Sequence, residues 1–322
     1  MSSIAIAGAG AFGTGLAIAL GRAGRAVTLW SHDQNHASAM QHSRENLSRL
    51  PGVKLPDCVT VSAEIADLGG HDAVLVAVPM QALAGFLETA KDAIGATPVV
   101  ACCKGVSLIT GTGPTSIIAQ TCPVATPAIL TGPSFAADIA KGLPTALTLA
   151  CKDPHAGQTL QNLLSTPDLR LYRSTDTAGA ELGGALKNVI AIAAGIVIGA
   201  GFGDSARAAL ITRGFAETNR FAKAFGAETE TLSGLSGLGD MVLTCTSDQS
   251  RNFKLGLSLG QGQAFDPSIT VEGAATARAV AKIARDKGIE MPITTMVAAV
   301  LDGKLNIKDA TRALMSRPLK EE

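Results

Sequence analysis

The chain opens on a short apolar run that ends in closely spaced glycines. Residues 3–10 read SIAIAGAG, and Gly8-Ala9-Gly10-Ala11-Phe12-Gly13 fits the spacing G-x-G-x-x-G. With 35 glycines among 322 residues, that spacing also arises by chance. Its context gives it meaning, because it follows a strand-like run and leads into a helical pattern that lasts to about Gly21. A strand, a glycine turn and a helix in that order open a parallel βαβ unit. The first glycine permits the tight turn, the second lets a pyrophosphate approach the backbone, and the third lets the helix pack on the strand. The helix N-terminus adds unpaired N–H groups and partial positive charge, both suited to phosphate. The plainer alternative is a set of glycines that serves the turn alone.

The alternation continues down the first half. Strands are predicted at RAVTLW (25–30), VTVS (59–62), DAVLVAVP (72–79), TPVVAC (97–102) and PAILTG (127–132), with helical stretches between most of them. The run at 72–79 is apolar after its first residue, Asp72, as in a strand buried on both faces of a parallel sheet. The polar stretch 32–46 reads as a solvated helix or loop, and Arg44 and Arg49 are assigned to a solvated face. TALTLAC (145–151) and LRLYRS (169–174) flank a helix at about 154–165 and extend the sheet at an edge. Strand–helix alternation of this kind predicts an α/β doubly wound, mostly parallel sheet. Beyond about residue 178 every periodic stretch is helical and no strand is read. The expected organisation is a dinucleotide-binding domain over 1–180 and an all-α substrate-binding and catalytic domain over 181–322.

Composition narrows the function. Lys+Arg and Asp+Glu are 27 each, so no global field holds nucleic acid or an anionic membrane, and a bound anion needs a local cluster. Aromatics at 3% argue against base stacking. The apolar stretch from Val189 to Phe202 falls short of the ~20 residues that cross a bilayer and reads as a buried helix. The N-terminus lacks the basic segment of a signal peptide. Six cysteines without a CxxC read as buried thiols in a reducing cytosol, with Cys102 and Cys103 on opposite faces of a strand. The five histidines form no metal-ligand set, and His32 and His36 read as surface residues. A cytoplasmic protein without a resident metal is expected.

Three local patterns carry chemistry. The second strand ends Leu29-Trp30-Ser31-His32-Asp33, so Ser31 and His32 stand where an acid would meet a ribose 2′-OH, and Asp33 falls beyond the strand end. NADPH use is therefore expected, with NADH as an alternative. Lys187-Asn188 interrupts an apolar helix, where a lysine either snorkels to solvent or does chemistry. Burial disfavours its charge and a neighbouring carboxylate restores it, the balance a proton donor to a ketone needs. Gly234 to Gly239 deliver Asp240 to an apolar segment, as an N-cap or a site acid, and Ser250-Arg251-Asn252 opens a helix with donors that match phosphate.

Taken together, GAGAFGTGLA, LWSHD, CKGV, TGPSFA, LGGALKNVIAIAAG, GLGDMVLTCTSDQSRN, VEGAATA and EMPIT resemble the NAD(P)-dependent glycerol-3-phosphate dehydrogenases, the bacterial, lipid-synthetic form most closely. The resemblance covers about residues 3–315. It implies a Rossmann-type N-terminal domain and a C-terminal domain like that of 6-phosphogluconate dehydrogenase. The implied reaction is reduction of dihydroxyacetone phosphate to sn-glycerol 3-phosphate by NADPH or NADH, supplying glycerophospholipid synthesis, in a homodimer. It implies Lys187 as general acid and base. Substrate contacts are implied at Lys104, Gly132, Ser134, Lys187, Asn188, Asp240, Thr244, Ser250, Arg251 and Asn252. Cofactor contacts are implied at Gly8, Gly10, Ala11, Phe12, Gly13, His32, Lys104, Ala136, Arg251, Thr270 and Glu272. Two positions depart from the family's pattern: Ala11-Phe12 where Ser followed by Tyr or Trp is frequent, and His32 where Arg is frequent. A β-hydroxyacid or 6-phosphogluconate type dehydrogenase, and a dinucleotide-binding regulator without turnover, are the alternatives.

Overall fold

Alternating apolar runs pair into one large sheet, and the computed structural model describes residues 2–107, 111–267 and 269–316. The chain divides into two units, Met1–Glu181 and Leu182–Glu322. The first runs β1 (Ser3–Ala7), α1 (Ala11–Arg22), β2 (Ala26–Trp30), α2 (Gln34–Ser43), β3 (Glu45–Asn46), β4 (Leu50–Lys54), β5 (Val59–Ser62), β6 (Ala73–Val76), α3 (Leu83–Ile94), β7 (Val99–Ala101), α4 (Pro114–Thr121), β8 (Pro127–Thr131), α5 (Ala136–Lys141), β9 (Thr145–Cys151), α6 (Pro154–Leu164) and β10 (Leu169–Ser174).

The eight-stranded sheet has the order β10-β9-β8-β7-β6-β1-β2-β5. From β5 to β8 all neighbours are parallel. Strand β9 runs antiparallel to β8, and β10 runs parallel to β9. The parallel part is the doubly wound order, whose direction reverses between β1 and β6. The strand runs lack hydrophobic alternation because helices cover both faces. Ile4, Ile6, Leu75 and Val100 join one core, and Ala5, Ala7, Val74 and Val99 the other. Cys102 and Cys103, just past the end of β7, fall into opposite cores.

The polar stretch 32–46 forms the helix expected of it, α2, and departs from that reading only at its end. Asp33 caps α2, its carboxylate accepting from Asn35 N at 2.9 Å and His36 N at 3.0 Å. The His36 amide bond holds that carboxyl below its usual value. The stretch then ends in β3, which pairs antiparallel with β4. A two-residue strand has no period to read, and Pro51-Gly52 hides its partner. Arg44 does not lie on a solvated face. It takes a left-handed φ of 55° after α2, and its guanidinium donates to Pro56 O at 2.6 Å and Val59 O at 2.7 Å. It thereby fastens the chain between α2 and β5. Arg49 is exposed.

The second unit takes in most of α7 (Thr177–Gly199) and continues with α8 (Gly203–Lys223), α9 (Thr229–Ser233), α10 (Asp240–Thr246), α11 (Arg251–Gly260), α12 (Glu272–Asp286), α13 (Pro292–Leu301) and α14 (Ile307–Met315). No strand occurs among its described residues. Helix α7 begins well before the apolar stretch read from the sequence. By length and composition it is able to cross a membrane, but 83% of its most apolar window is buried inside the protein. It is therefore a core helix, packed through Val189, Ile190 and Ile192.

One buried carboxylate stands in for helix caps. Glu217 of α8 accepts from Ile293 N, Thr294 N and Thr294 Oγ1 at 2.5, 3.2 and 3.2 Å, satisfying the first amides of α13. Burial outweighs these bonds and raises its affinity for a proton. The folded state then binds more protons than the unfolded one above the ordinary carboxylate range, so this group's contribution to stability falls as pH rises. The thermal midpoint of wild type relative to Glu217→Gln is expected to decline between pH 5 and pH 8. A difference independent of pH would contradict the raised affinity.

Candidate active site

The glycine turn sits where the sheet reverses direction. Gly8 has φ +117°, and a Cβ there would lie 2.9 Å from the Ala77 backbone just past β6. A Cβ on Gly13 would lie 2.1 Å from Gly8 O, so only glycine lets α1 start this close to β1. Gly10 is different: nothing lies within 4 Å of its Cβ direction, and no side chain caps α1. Open space over an uncapped helix N-terminus fits a dinucleotide pyrophosphate. Ala11 and Phe12 form the first turn of α1 and are half-buried, and His32 is exposed just past β2.

A second set gathers after β7 and β8. Lys104 Nζ donates to Gly132 O at 3.2 Å, and Ser134 Oγ donates to the same carbonyl at 3.2 Å. Gly132 has φ +140°, which turns the chain sharply after β8. Ala136 opens α5, and its carbonyl faces α1, where a Cβ on Gly15 would lie 2.9 Å from it.

In the second unit Lys187 and Asp240 form an ion pair in which both side chains are almost wholly buried. Lys187 Nζ also donates to Thr244 Oγ1 at 2.8 Å, and that hydroxyl donates to Asp240 O at 2.6 Å. Backbone proximity makes the pair. Residues Leu235–Gly239 form a single π-helical turn ahead of α10. A Cβ on Gly183, one turn before Lys187 on α7, would lie 2.7 Å from Ser236 O and 3.0 Å from Gly237 Cα. Asp240 is thus the first residue of a helix but does not cap it; its carboxylate is given to the lysine. The neighbouring Cys245 thiol is pushed up to about 12, chiefly by burial, and stays uncharged beside the pair.

Next to Lys187, Asn188 Oδ1 accepts from Asn252 Nδ2 at 3.0 Å, and Asn252 Oδ1 accepts from Gly273 N at 2.9 Å. A backbone N–H can only donate, so this chain fixes the orientation of both amides. Gly256 lets α11 approach α7, since a Cβ there would lie 2.0 Å from Ile192 O. Ser250 caps α11 by accepting from Phe253 N at 3.2 Å. Arg251, the first residue of α11, is exposed; Glu272 opens α12, and Thr270 is exposed just before it.

The sequence-predicted residues therefore fall into local groups: the glycine turn, Lys104 with Gly132 and Ser134, Lys187 with Asp240 and Thr244, and Asn188 with Asn252. Sequence reading missed Gly183 and Gly273. Each places a polar residue by leaving out a Cβ, and glycines at the start of a helical run give little signal of such a role. Among the described residues no group of three or more His, Cys, Asp or Glu side chains gathers to hold a metal ion.

A doubly wound sheet with a glycine turn, joined in one chain to a helical unit with a buried Lys–Asp pair, defines a nicotinamide-dependent dehydrogenase architecture. Two family descriptions match, the N-terminus of NAD-dependent glycerol-3-phosphate dehydrogenase over residues 3–157 and its C-terminus over 176–312. The chain belongs to the NAD-dependent glycerol-3-phosphate dehydrogenase family. It is 61% identical over 320 residues to a glycerol-3-phosphate dehydrogenase (NAD(P)+) of Ruegeria sp. (strain TM1040), covering 99% of this chain and 100% of that one. A Cereibacter sphaeroides protein of the same name is 60% identical over 99% of this chain and all of its own. The crystal structure of the Coxiella burnetii glycerol-3-phosphate dehydrogenase superposes with a TM-score of 0.92 at 37% identity, covering 98% and 99% of the two chains.

The second and third glycines of the motif separate fold from ligand. Gly13→Ala is expected to cost at least about 2 kcal/mol by driving a Cβ into backbone. Gly10→Ala is expected to cost about 1 kcal/mol or less, while still weakening NADPH. Thermal unfolding and a fluorescence titration with NADPH check both, and equal stability losses would contradict the packing described.

Proposed function

We propose that the chain reduces dihydroxyacetone phosphate to sn-glycerol 3-phosphate with NADPH or NADH, with residues 1–180 holding the dinucleotide and 181–322 the substrate chemistry. The buried Lys187–Asp240 pair carries this reading, because it presents a proton donor in a dry, preorganised setting. Gly8, Gly10, Gly13, Ala11, Phe12, His32, Lys104, Ala136, Arg251, Thr270 and Glu272 would hold the cofactor. When bound, the nicotinamide supplies the hydride.

The protein's own residues do the rest. Lys187 gives a proton to the ketone oxygen as negative charge develops there, and takes one from the alcohol in the reverse direction. Asp240 and Thr244 hold Nζ in place, so no reorganisation is needed when the charge appears. Arg251 offers a guanidinium fork to the substrate phosphate, and Asn252 and Ser250 add neutral donors. Lys104, Gly132, Ser134 and Asn188 complete the substrate contacts. Binding the phosphate away from the reacting carbon turns its affinity into orientation at the carbonyl. The product serves glycerophospholipid synthesis, and the enzyme acts as a cytoplasmic homodimer.

Lys187→Ala is expected to lower kcat by about 10²–10⁴-fold with little change in NADPH affinity. Near wild-type turnover would overturn the assignment. Arg251→Ala is expected to weaken dihydroxyacetone phosphate roughly 10- to 150-fold, from a charged hydrogen bond worth about 1.5–3 kcal/mol, and hardly to affect unphosphorylated dihydroxyacetone. Arg251→Lys should recover only part of the loss, because a point charge does not reproduce the fork. Initial rates with both substrates check this; equal losses on the two would place Arg251 outside the phosphate site.

A further inference from the structure

Asn46 is fully buried in β3, and the roles proposed above leave it unused. Its Nδ2 donates to Ala9 O at 3.0 Å and to Thr14 Oγ1 at 2.8 Å, reaching the glycine turn and the first turn of α1. Its Oδ1 accepts from Arg49 N at 3.2 Å and Ser48 Oγ at 3.3 Å. A carbonyl only accepts and a backbone N–H only donates, so the amide has a single orientation. His36 Nε2, 3.0 Å from Asn46 Oδ1, must then donate to it. Its other nitrogen lies 3.3 Å from Ser31 Oγ at the end of β2.

The position of Ala9 makes this more than a packing contact. Ala9 lies between β1 and α1, so neither a strand ladder nor the helix supplies a donor to its carbonyl. The peptide bond is planar and trans, so Ala9 C=O and Gly10 N–H point in opposite directions within one rigid unit. Anchoring the carbonyl on Asn46 therefore aims the Gly10 N–H away from the hairpin. Gly10 is the residue with open space over it.

We infer that Asn46, oriented by His36, is a positioning residue that fixes the Ala9–Gly10 peptide for pyrophosphate binding. This rests on the cofactor reading above. Asn46→Asp is nearly isosteric but sets an oxygen against Ala9 O in place of a donor, and Asn46→Ala leaves the carbonyl unpartnered. Both are expected to raise the NADPH Kd by roughly tenfold or more, the worth of a buried polar group left unpaired. His36→Ala keeps both donors to the turn and is expected to raise it less.

The readout is a fluorescence titration of each protein with NADPH, well below its thermal midpoint. If wild type binds neither NADPH nor NADH, the cofactor reading fails and the inference with it. If wild type binds and the Asn46 variants melt earlier but bind equally well, Asn46 is structural only and the inference alone is overturned. Should the Asn46 variants not fold, His36→Ala decides, and an unchanged Kd there overturns the inference.

Discussion

The helical unit is organised around a buried ammonium–carboxylate pair. Taking Lys187 and Asp240 out of water is costly, and their attraction offsets that cost only if geometry is good and further hydrogen bonds complete the shell. Thr244 supplies part of that shell: it accepts from the ammonium and returns its own proton to the Asp240 backbone. A surrounding core of Val189, Ile190, Met241 and Cys245 keeps the pair dry. Replacing one partner alone would leave an uncompensated buried charge and cost several kcal/mol, whereas the intact pair adds little net stability over apolar packing.

Such a pair forms only where backbones come unusually close. Gly183 brings the turn before Asp240 against α7, Gly256 brings α11 against α7, and Gly273 brings α12 against Asn252. At each place a Cβ would meet a backbone carbonyl, a backbone nitrogen or the Asn252 amide oxygen within about 3 Å. These glycines act as spacers one turn away from, or directly against, the polar residues that face each other. The glycine turn at the start of the chain follows the same logic, with Gly13 against Gly8 O.

The same geometry explains what the sequence made legible. Long apolar runs such as 72–79 and 127–132 announce buried parallel strands because both faces of the sheet are covered, and β1, β2, β5, β9 and β10 lie where periodicity puts them. The motif residues Lys187, Asp240 and Thr244 were legible as a set through the family resemblance, and their contact required the fold. What stayed hidden depends on single residues without a period. The two-residue strand β3 holds Asn46, Arg44 turns inward from a polar segment, and Asp33 spends its carboxylate on capping α2. The apolar stretch from Val189 to Phe202 gave burial correctly over its helical part but misplaced both ends: Gly179, Gly183 and Gly184 blur the beginning of α7, and the helix stops at Gly199, leaving Gly201 and Phe202 exposed.

Polar side chains in both units take their direction from the main chain. An isolated asparagine amide can flip, and an isolated hydroxyl can rotate. Asn252 cannot flip, because Gly273 N–H can only donate, and that forces Asn188 to present its oxygen. Asn46 cannot flip, because Ala9 C=O can only accept. Thr244 is fixed by the Asp240 carbonyl in the same way. Ending each polar chain on a group of one polarity converts the rigidity of the backbone into a fixed set of donors. In a chain with no net charge to attract an anion, donors fixed in this way cost less to order when a partner binds than free side chains would.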